Sequence, residues 1–319
     1  MRSLSRNKYS LLLLGVFIAI IVLFTSINPN YIRISSFQSM FSNAAFKGVA
    51  VIGELLVMLA GGLDFSIGAV IGFSTLMCLT FNILFHMPLP LLILCIMGVG
   101  AAIGLVNGLI VKVVGINPVI TTLGTSFIIS AYGYLFQRNF LALTERPRIE
   151  STLFAQITDG FVGIFPLIFI YPLVLFIIVF LILKFTTFGR SLYVAGADTR
   201  MAEILGFKAK KIQIVTYIIS GICAALGGLL LSSQLLTGRP GMGADSTLDI
   251  LIIVILGGTL IGGGKTDIAG ALITWIMLEA LANGLVITNI PYFLRQTITG
   301  LLLIISIGIN TARTRELQL

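Results

Sequence analysis

Apolar residues run through this chain in ten stretches separated by short polar gaps: 11–27, 42–60, 65–84, 89–112, 117–135, 163–184, 213–235, 247–262, 267–287 and 293–310. A hydrocarbon core about 30 Å thick is crossed by roughly 20 apolar residues in helical form. Helix is required because backbone polar groups that water cannot reach must pair within their own segment. The pattern therefore predicts an all-α polytopic membrane protein of about ten transmembrane helices, a single transmembrane domain over residues 1–319. Composition agrees, with 57% hydrophobic and only 10% charged residues, against about 25% charged in a soluble domain.

The charges set an expected orientation. A net charge of +8 in a soluble chain would suggest nucleic acid, but here the basic residues occupy the gaps between apolar runs, where the positive-inside rule puts them. Alternate gaps are unequal. The side holding Arg2, Arg6, Lys8, Lys112, Lys184, Arg190, Arg200, Lys208, Lys210, Lys211, Lys265, Arg313 and Arg315 is the richer one; the other holds Arg33, Arg138, Arg146, Arg148 and Arg239. Both termini are thus expected in the cytoplasm, with no nucleic-acid partner. The first run exceeds the apolar length of a secretory signal and lacks a small-residue cleavage site, so it reads as a retained helix. Cys78, Cys95 and Cys223 lie inside apolar runs without CxxC spacing, and the single histidine, His86, falls in a gap. No metal site is implied.

"LGGTLIGGGKTD" at 256–267 invites comparison with a phosphate-binding loop, G-x-x-x-x-G-K-[ST]. Gly264, Lys265 and Thr266 supply the end of the pattern, yet the position that needs the first glycine is Thr259, and the nearest glycine is Gly258. The flanks are apolar on all sides rather than a strand and an amphipathic helix. The glycines are read as a tight cytoplasmic hairpin between the eighth and ninth spans, and no cofactor is expected on this chain.

Three other stretches carry functional content. "NGLIVKVVGINPVITTLGTSFIIS" (107–130) and "NGLVITNIPYFLRQTITGLLLIIS" (283–306) repeat Asn-Gly-Leu, an Asn-Pro or Ile-Pro turn, then Thr and Gly. In the expected topology the two copies run in opposite directions, so spans 2–5 and 7–10 form an inverted repeat of the kind transporters use. Asp64, Asn107, Thr121, Thr122 and Asn283 are then candidates for the translocation path, although Asn and Thr also serve as interhelical glue. In "MLAGGLDFSIGAVIGFS" (58–74) glycines and Asp64 interrupt a long apolar run. Asp64 either caps the next helix in a turn or stands beside a path, since a carboxylate is too costly to leave facing lipid. By the same reasoning Glu54 must be buried against protein or a wet cavity, and Lys47, two turns earlier on about the same face, is one possible partner.

The third stretch lies between the sixth and seventh spans, "KFTTFGRSLYVAGADTRMAEILGFKAKKIQI" (184–214). Asp198 reads as an N-cap, Thr199–Leu205 as a short helix (Thr199, Arg200, Met201, Ala202, Glu203, Ile204, Leu205), and Gly206 as its stop. A solvated basic loop would anchor topology equally well, but a defined start and stop suit a helix that docks a cytoplasmic partner.

"LAGGLDFSIGAVIG", "INPVITTLGT", "FGRSLYVAGADTRMAEILGFKAKKI" and "ILGGTLIGGGKTDIAGALI" occur in this order, and with them the chain resembles the membrane permease subunits of bacterial ABC importers for ribose and related sugars, autoinducer-2 importers included. The resemblance implies an inner-membrane location and a second permease subunit, identical or a sister chain. It further implies a cytoplasmic ATPase that holds ATP and Mg, and a periplasmic or lipid-anchored solute-binding protein. Asp198–Gly206, within a cytoplasmic segment 185–212, would be the coupling helix seated in the ATPase. The expected function is import of a pentose, hexose or autoinducer-2-type solute by a subunit that is not itself an enzyme. The alternatives are an ABC permease for nucleosides or branched-chain amino acids, and an ion-coupled secondary transporter.

Overall fold

Every apolar run lies on a helix, and the chain between them turns where prolines, caps and glycines let it. The computed structural model describes residues 2–140 and 148–318. Arg146 of the charge pattern lies outside these described residues, as do the side chains of Arg2, Arg6, Lys8, Arg313 and Arg315. In order, the elements are α1 (Arg2–Ile27), a 3-10 turn (Pro29–Ile32), α2 (Ile34–Leu59), α3 (Ile67–Ile83), α4 (Leu89–Leu109) and α5 (Pro118–Phe140). After the undescribed residues come α6 (Thr152–Ala155), a small hairpin of β1 (Phe161–Val162) and β2 (Phe165–Pro166), α7 (Leu167–Phe185), α8 (Thr187–Ala197) and α9 (Thr199–Ile204). The chain continues as α10 (Ala209–Leu235), α11 (Ser246–Leu256), α12 (Ile268–Ile287) and α13 (Tyr292–Gln318).

Six of these helices are long and apolar enough to cross a membrane: α2, α4 with the π turn Ile110–Val114 that extends it, α5, α7, α10 and α12. Shorter apolar helices, Leu11–Ile27, Ile67–Ile83, Ser246–Leu256 and Leu294–Gly308, cover the other four runs. Two boundaries differ from the apolar pattern. Helix α2 begins eight residues before its run because Ser35, Ser36, Gln38 and Ser39 are helical but polar. Helix α11 stops at Leu256 instead of continuing to 262, which leaves it about 16 Å long. It stops because Gly258 adopts φ +102° and closes it, Gly258 donating to Ile255 O at 3.1 Å and Thr259 to Val254 O at 3.2 Å; Gly257 beside it meets α12, where a Cβ would lie 2.5 Å from the Ala271 Cα.

Helix α10 is the hub, packed against α2, α3 and α4. Small residues let backbones approach closely, the substitute for a hydrophobic driving force inside a bilayer. At the α4–α10 contact a Cβ on Gly100 would strike the Gly221 carbonyl, and one on Gly104 the Tyr217 carbonyl. On the other side of α2, Gly48 makes room for Trp275 of α12. The indole donates to the Ala44 carbonyl at 3.0 Å and stacks on Phe169 and Phe176 of α7.

The α4–α10 contact generates a direct test. Gly104→Val should destabilise the purified protein by about 1–3 kcal/mol, the usual cost of overpacking. Gly98→Val, on the same helix where nothing lies within 4 Å of the added carbon, should be tolerated. Equal thermal midpoints in detergent for the two variants would contradict this packing.

Candidate functional site

Between α2 and α3 the chain leaves helix for residues 60–66. Gly61 takes φ +77°, and the free backbone groups need partners that hydrocarbon cannot supply. Asp64, 2% exposed, supplies part of the answer. Its Oδ1 accepts from the Ser66 hydroxyl at 2.5 Å and the Ser66 amide at 3.0 Å, and its Oδ2 from the Ser220 hydroxyl of α10 at 2.9 Å. Asn107 of α4 donates to the Ser66 Oγ at 2.9 Å and accepts from Thr125 of α5 at 2.7 Å. Thr122, also on α5, accepts from the Phe65 amide at 3.0 Å and donates to the Pro118 carbonyl at 2.8 Å. Tyr217 Oη reaches the Leu63 carbonyl at 3.4 Å. One polar cluster thus ties α4, α5 and α10 to the break.

Three of the five sequence candidates for the path, Asp64, Asn107 and Thr122, come together here, all buried; Thr121 is buried too, but its Oγ1 makes no hydrogen bond to the cluster. The cap of α3 is Ser66 rather than Asp64; Asp64 forms an Asx turn onto Ser66 and is sunk among helices. Glu54, fully buried on α2, adds its Oε1 at 3.4 Å from the Asp64 amide, as its cost in lipid required. Asn283 stands apart. Its Nδ2 donates to the Ser36 Oγ at 3.0 Å, near the start of α2.

The partner suggested for Glu54 is a correction. Lys47 instead pairs with Asp249 of α11 at 2.8 Å and Glu279 of α12 at 3.0 Å. On an α-helix the seven residues from 47 to 54 place the two side chains on one face but about 10 Å apart along the axis, whereas α11 and α12 bring carboxylates directly to the ammonium. Nothing in the local sequence announces the triad, because Asp249 lies 202 positions from Lys47.

The segment after α7 is more helical than its polar residues suggested. Helix α8 is capped by Thr186, whose Oγ1 accepts from the Gly189 amide at 3.2 Å. Its buried Gly189, Leu192, Ala195 and Gly196 repeat at helical spacing, a signal the sequence carried. Helix α9 follows the expected plan. The Asp198 carboxylate accepts from the amides of Arg200 at 2.8 Å and Met201 at 3.0 Å. At the other end Gly206, φ +83°, donates to Glu203 O at 3.0 Å and Phe207 to Ala202 O at 2.9 Å, a Schellman closure. Ala202 is buried against Ala195 and Ala209. Met201, Ile204 and Leu205 point away, Ile204 being 74% exposed.

Three glycine-bearing segments join this region to the break. Gly264 of the "GGGKT" hairpin donates to the Leu59 carbonyl at 2.9 Å. A Cβ on Gly263 would lie 2.6 Å from the Gly196 oxygen and 2.7 Å from the Gly61 nitrogen. The Gln213 amide of α10 bridges them, donating to Ala60 O at 2.9 Å and to Ala195 O at 3.4 Å, with Thr199 Oγ1 at 3.5 Å. The glycines of the hairpin therefore serve close backbone approach.

If the Asp64 carboxylate holds the break, Asp64→Ala strands the hydroxyls of Ser66 and Ser220, at about 1–3 kcal/mol for each buried group left unsatisfied. Asp64→Asn keeps an acceptor and should retain most of the stability. The thermal midpoints of the two purified variants decide this, and an alanine variant as stable as the parent would refute the role.

Comparison with known proteins agrees with this architecture. The family model described as branched-chain amino acid transport system / permease component matches residues 36–307. The chain is 29% identical over 302 residues to the probable ABC transporter permease protein YphD of Escherichia coli (strain K12), covering 94% of this chain and 89% of the relative. It is 30% identical to the xylose/arabinose import permease protein XylH of Sulfolobus acidocaldarius, covering 92% and 82%. To the autoinducer 2 import system permease protein LsrD of Salmonella typhimurium (strain LT2) it is 28% identical, covering 94% and 90%. No solved structure matches. The chain is a membrane transport component and belongs to the branched-chain amino acid transport system / permease component family.

Proposed function

We propose that this chain is the permease subunit of an ATP-binding-cassette importer that brings a small sugar or sugar-like solute, a pentose, hexose or autoinducer-2-type derivative, across a bacterial inner membrane. It works beside a second permease subunit, identical or a sister chain, and a cytoplasmic ATPase that holds ATP and Mg. A periplasmic or lipid-anchored binding protein delivers the solute. All ten apolar helices cross the membrane as one domain, with both termini and residues 185–212 in the cytoplasm. The similarity to xylose/arabinose and autoinducer 2 import permeases supports the solute class. A branched-chain amino acid solute is the second reading, favoured by the description of the family.

The inverted repeat draws support from the order of elements. A long helix (α2, α10), a non-helical glycine-rich stretch, a short helix (α3, α11) and two further helices (α4 and α5, α12 and α13) follow one another in both halves. The two halves also meet: the Gly68 amide of α3 donates to Thr247 Oγ1 of α11 at 3.1 Å, and Thr75 Oγ1 of α3 donates to the Arg239 carbonyl in the stretch before α11 at 3.2 Å. Discontinuous helices paired in this way are where transporters bind and pass their substrates.

The observation that carries the proposal is α9. A helix of six residues is marginal in water by itself, so a capping carboxylate, a Schellman closure and an exposed apolar tip of Met201, Ile204 and Leu205 suit a surface that is covered in the working complex. That surface is the seat of the ATPase. Displacement of α9 reaches the break at residues 60–66 through Gly196 and the Gln213 amide, which gives ATP hydrolysis a short mechanical route to the helices around Asp64.

Gly206 tests the coupling role without a steric complication, since nothing lies within 4 Å of a carbon added there. Its left-handed backbone resists a β-branched residue at about 1–2 kcal/mol. Gly206→Val should insert normally and lower ATP-driven uptake at least fivefold or weaken co-purification of the ATPase. Gly206→Asn, which tolerates this conformation, should stay near the parent. Normal uptake by the valine variant with an undiminished ATPase complex would withdraw the coupling role.

A further inference from the structure

Three helices distant in the chain meet at a single ammonium. Lys47 of α2 reaches Asp249 of α11 at 2.8 Å and Glu279 of α12 at 3.0 Å, and Glu279 is the deepest of the three, its side chain 6% exposed. A cavity of about 680 Å³ lies on one side of this contact, between the start of α2, the end of α12 and the start of α13. Another of about 380 Å³ lies between α11, α12 and α13. Four residues line both cavities: Lys47, Glu279, Ala282 and Arg295. Ala282 is small, so the wall between the two is built mainly from the Lys47–Glu279 pair with Arg295 beside it.

We propose that the Lys47–Glu279 pair is a latch between these cavities, and that it opens when the Glu279 carboxylate passes from Lys47 to Arg295. The inference rests on the transport reading above and assigns gating residues to it.

The contact is of a kind that can open. At the α4–α10 crossing, backbones meet through glycines and part only if whole helices move. The Lys47–Glu279 contact is made by two long side chains, one of them a flexible four-carbon stem, and a change of rotamer parts it. Parting a buried pair is strongly destabilising when a charge is left uncompensated, so both members need a partner in the open state. Lys47 keeps Asp249, which lies in the first turn of α11, where the helix dipole also favours a carboxylate. That half of the triad is the fixed one. Glu279, in the middle of α12, needs a second cation.

Arg295 of α13 is the cation at hand. It is half-buried, shares both cavities with Glu279 and makes no ion pair among the described residues. Arg33 lines only the larger cavity and Asp245 only the smaller, so neither stands at the wall between them. The Arg295 Nε donates to the Ile290 carbonyl at 3.0 Å, in the turn from α12 to α13 where Asn289 takes φ +56°. This tether holds the guanidinium near the carboxylate it receives, and a guanidinium fork matches a carboxylate in shape. Each state thus has its charges paired. Two such packings form a bistable element that a small movement of α12 against α13 can bias.

The test uses proteoliposomes of the permease with its ATPase and binding protein, supplied with D-xylose or D-ribose. Arg295→Gln removes the receiving cation and leaves the triad in place. It should keep the parental thermal midpoint yet take up sugar at least tenfold more slowly, while Arg295→Lys, which retains the cation, should stay within threefold of the parent. Arg295→Met repeats the first arm should Arg295→Gln fail to assemble. In a Glu279→Gln background, where Lys47 remains paired with Asp249, adding Arg295→Gln should lower uptake less than twofold further, because no carboxylate is left to pass across. Uptake by Arg295→Gln within twofold of the parent overturns the latch and leaves the transport reading intact. A tenfold loss that persists in the Glu279→Gln background also overturns it, since Arg295 would then act without Glu279. Absence of ATP-driven sugar uptake by the parental complex overturns the transport reading and the latch together.

Discussion

A polar group taken into hydrocarbon must find its partner inside the protein, and the broken stretch between α2 and α3 is where this chain meets that constraint most severely. Glycines release the backbone there, and the Asp64 carboxylate, accepting three hydrogen bonds from Ser66 and Ser220, closes much of the resulting deficit. Each bond adds only about 1 kcal/mol net, but an unpartnered group in the same place would cost more than the bond contributes. Asn107 and Thr122 extend the arrangement to α4 and α5. The hub position of α10 follows from it, since Ser220 and Tyr217 can reach the break only if α10 packs at backbone distance, which the glycines of α4 permit.

The same break lies next to α8, α9 and the glycine hairpin after α11. Gly196 at the end of α8, the glycine hairpin after α11 and Gln213 all meet residues 59–61 through backbone groups. Such contacts are short and stiff because no flexible side chain intervenes on one side of them. In the proposed coupling, a helix as small as α9 acts on a buried region without a long lever. Its own order comes from two caps and the burial of Ala202, while its apolar tip stays exposed.

Much of this was legible in the sequence because it depends on neighbours in the chain. Apolar length located the helices, Asp198 and Gly206 marked the ends of α9, and the cost of an intramembrane carboxylate marked Glu54 and Asp64 as buried. Asp64, Asn107 and Thr122, read from the sequence as candidates for a path, are joined by hydrogen bonds around Phe65 and Ser66. What depends on distant pairing was not legible. The Lys47–Asp249–Glu279 triad joins three helices, and a search along one helix pointed Lys47 wrongly toward Glu54. Hydropathy also misplaced the start of α2, whose Ser35, Ser36 and Ser39 are helical yet line a cleft, and the end of α11, which is set by the left-handed Gly258. Helix α8 was overlooked although its small residues recur at helical spacing, because polar flanks drew attention to the loop.

The Lys47–Asp249–Glu279 triad also gives an ion-coupled mechanism its best foothold, since ionisable groups within a membrane commonly serve as ion pathways. The direct discrimination is uptake by proteoliposomes containing this chain with and without its ATPase. The account predicts that D-xylose or D-ribose accumulates against its gradient only when the ATPase, the binding protein and ATP are all present, and that imposed proton or sodium gradients have no effect. Accumulation driven by either ion gradient through this chain alone would contradict it.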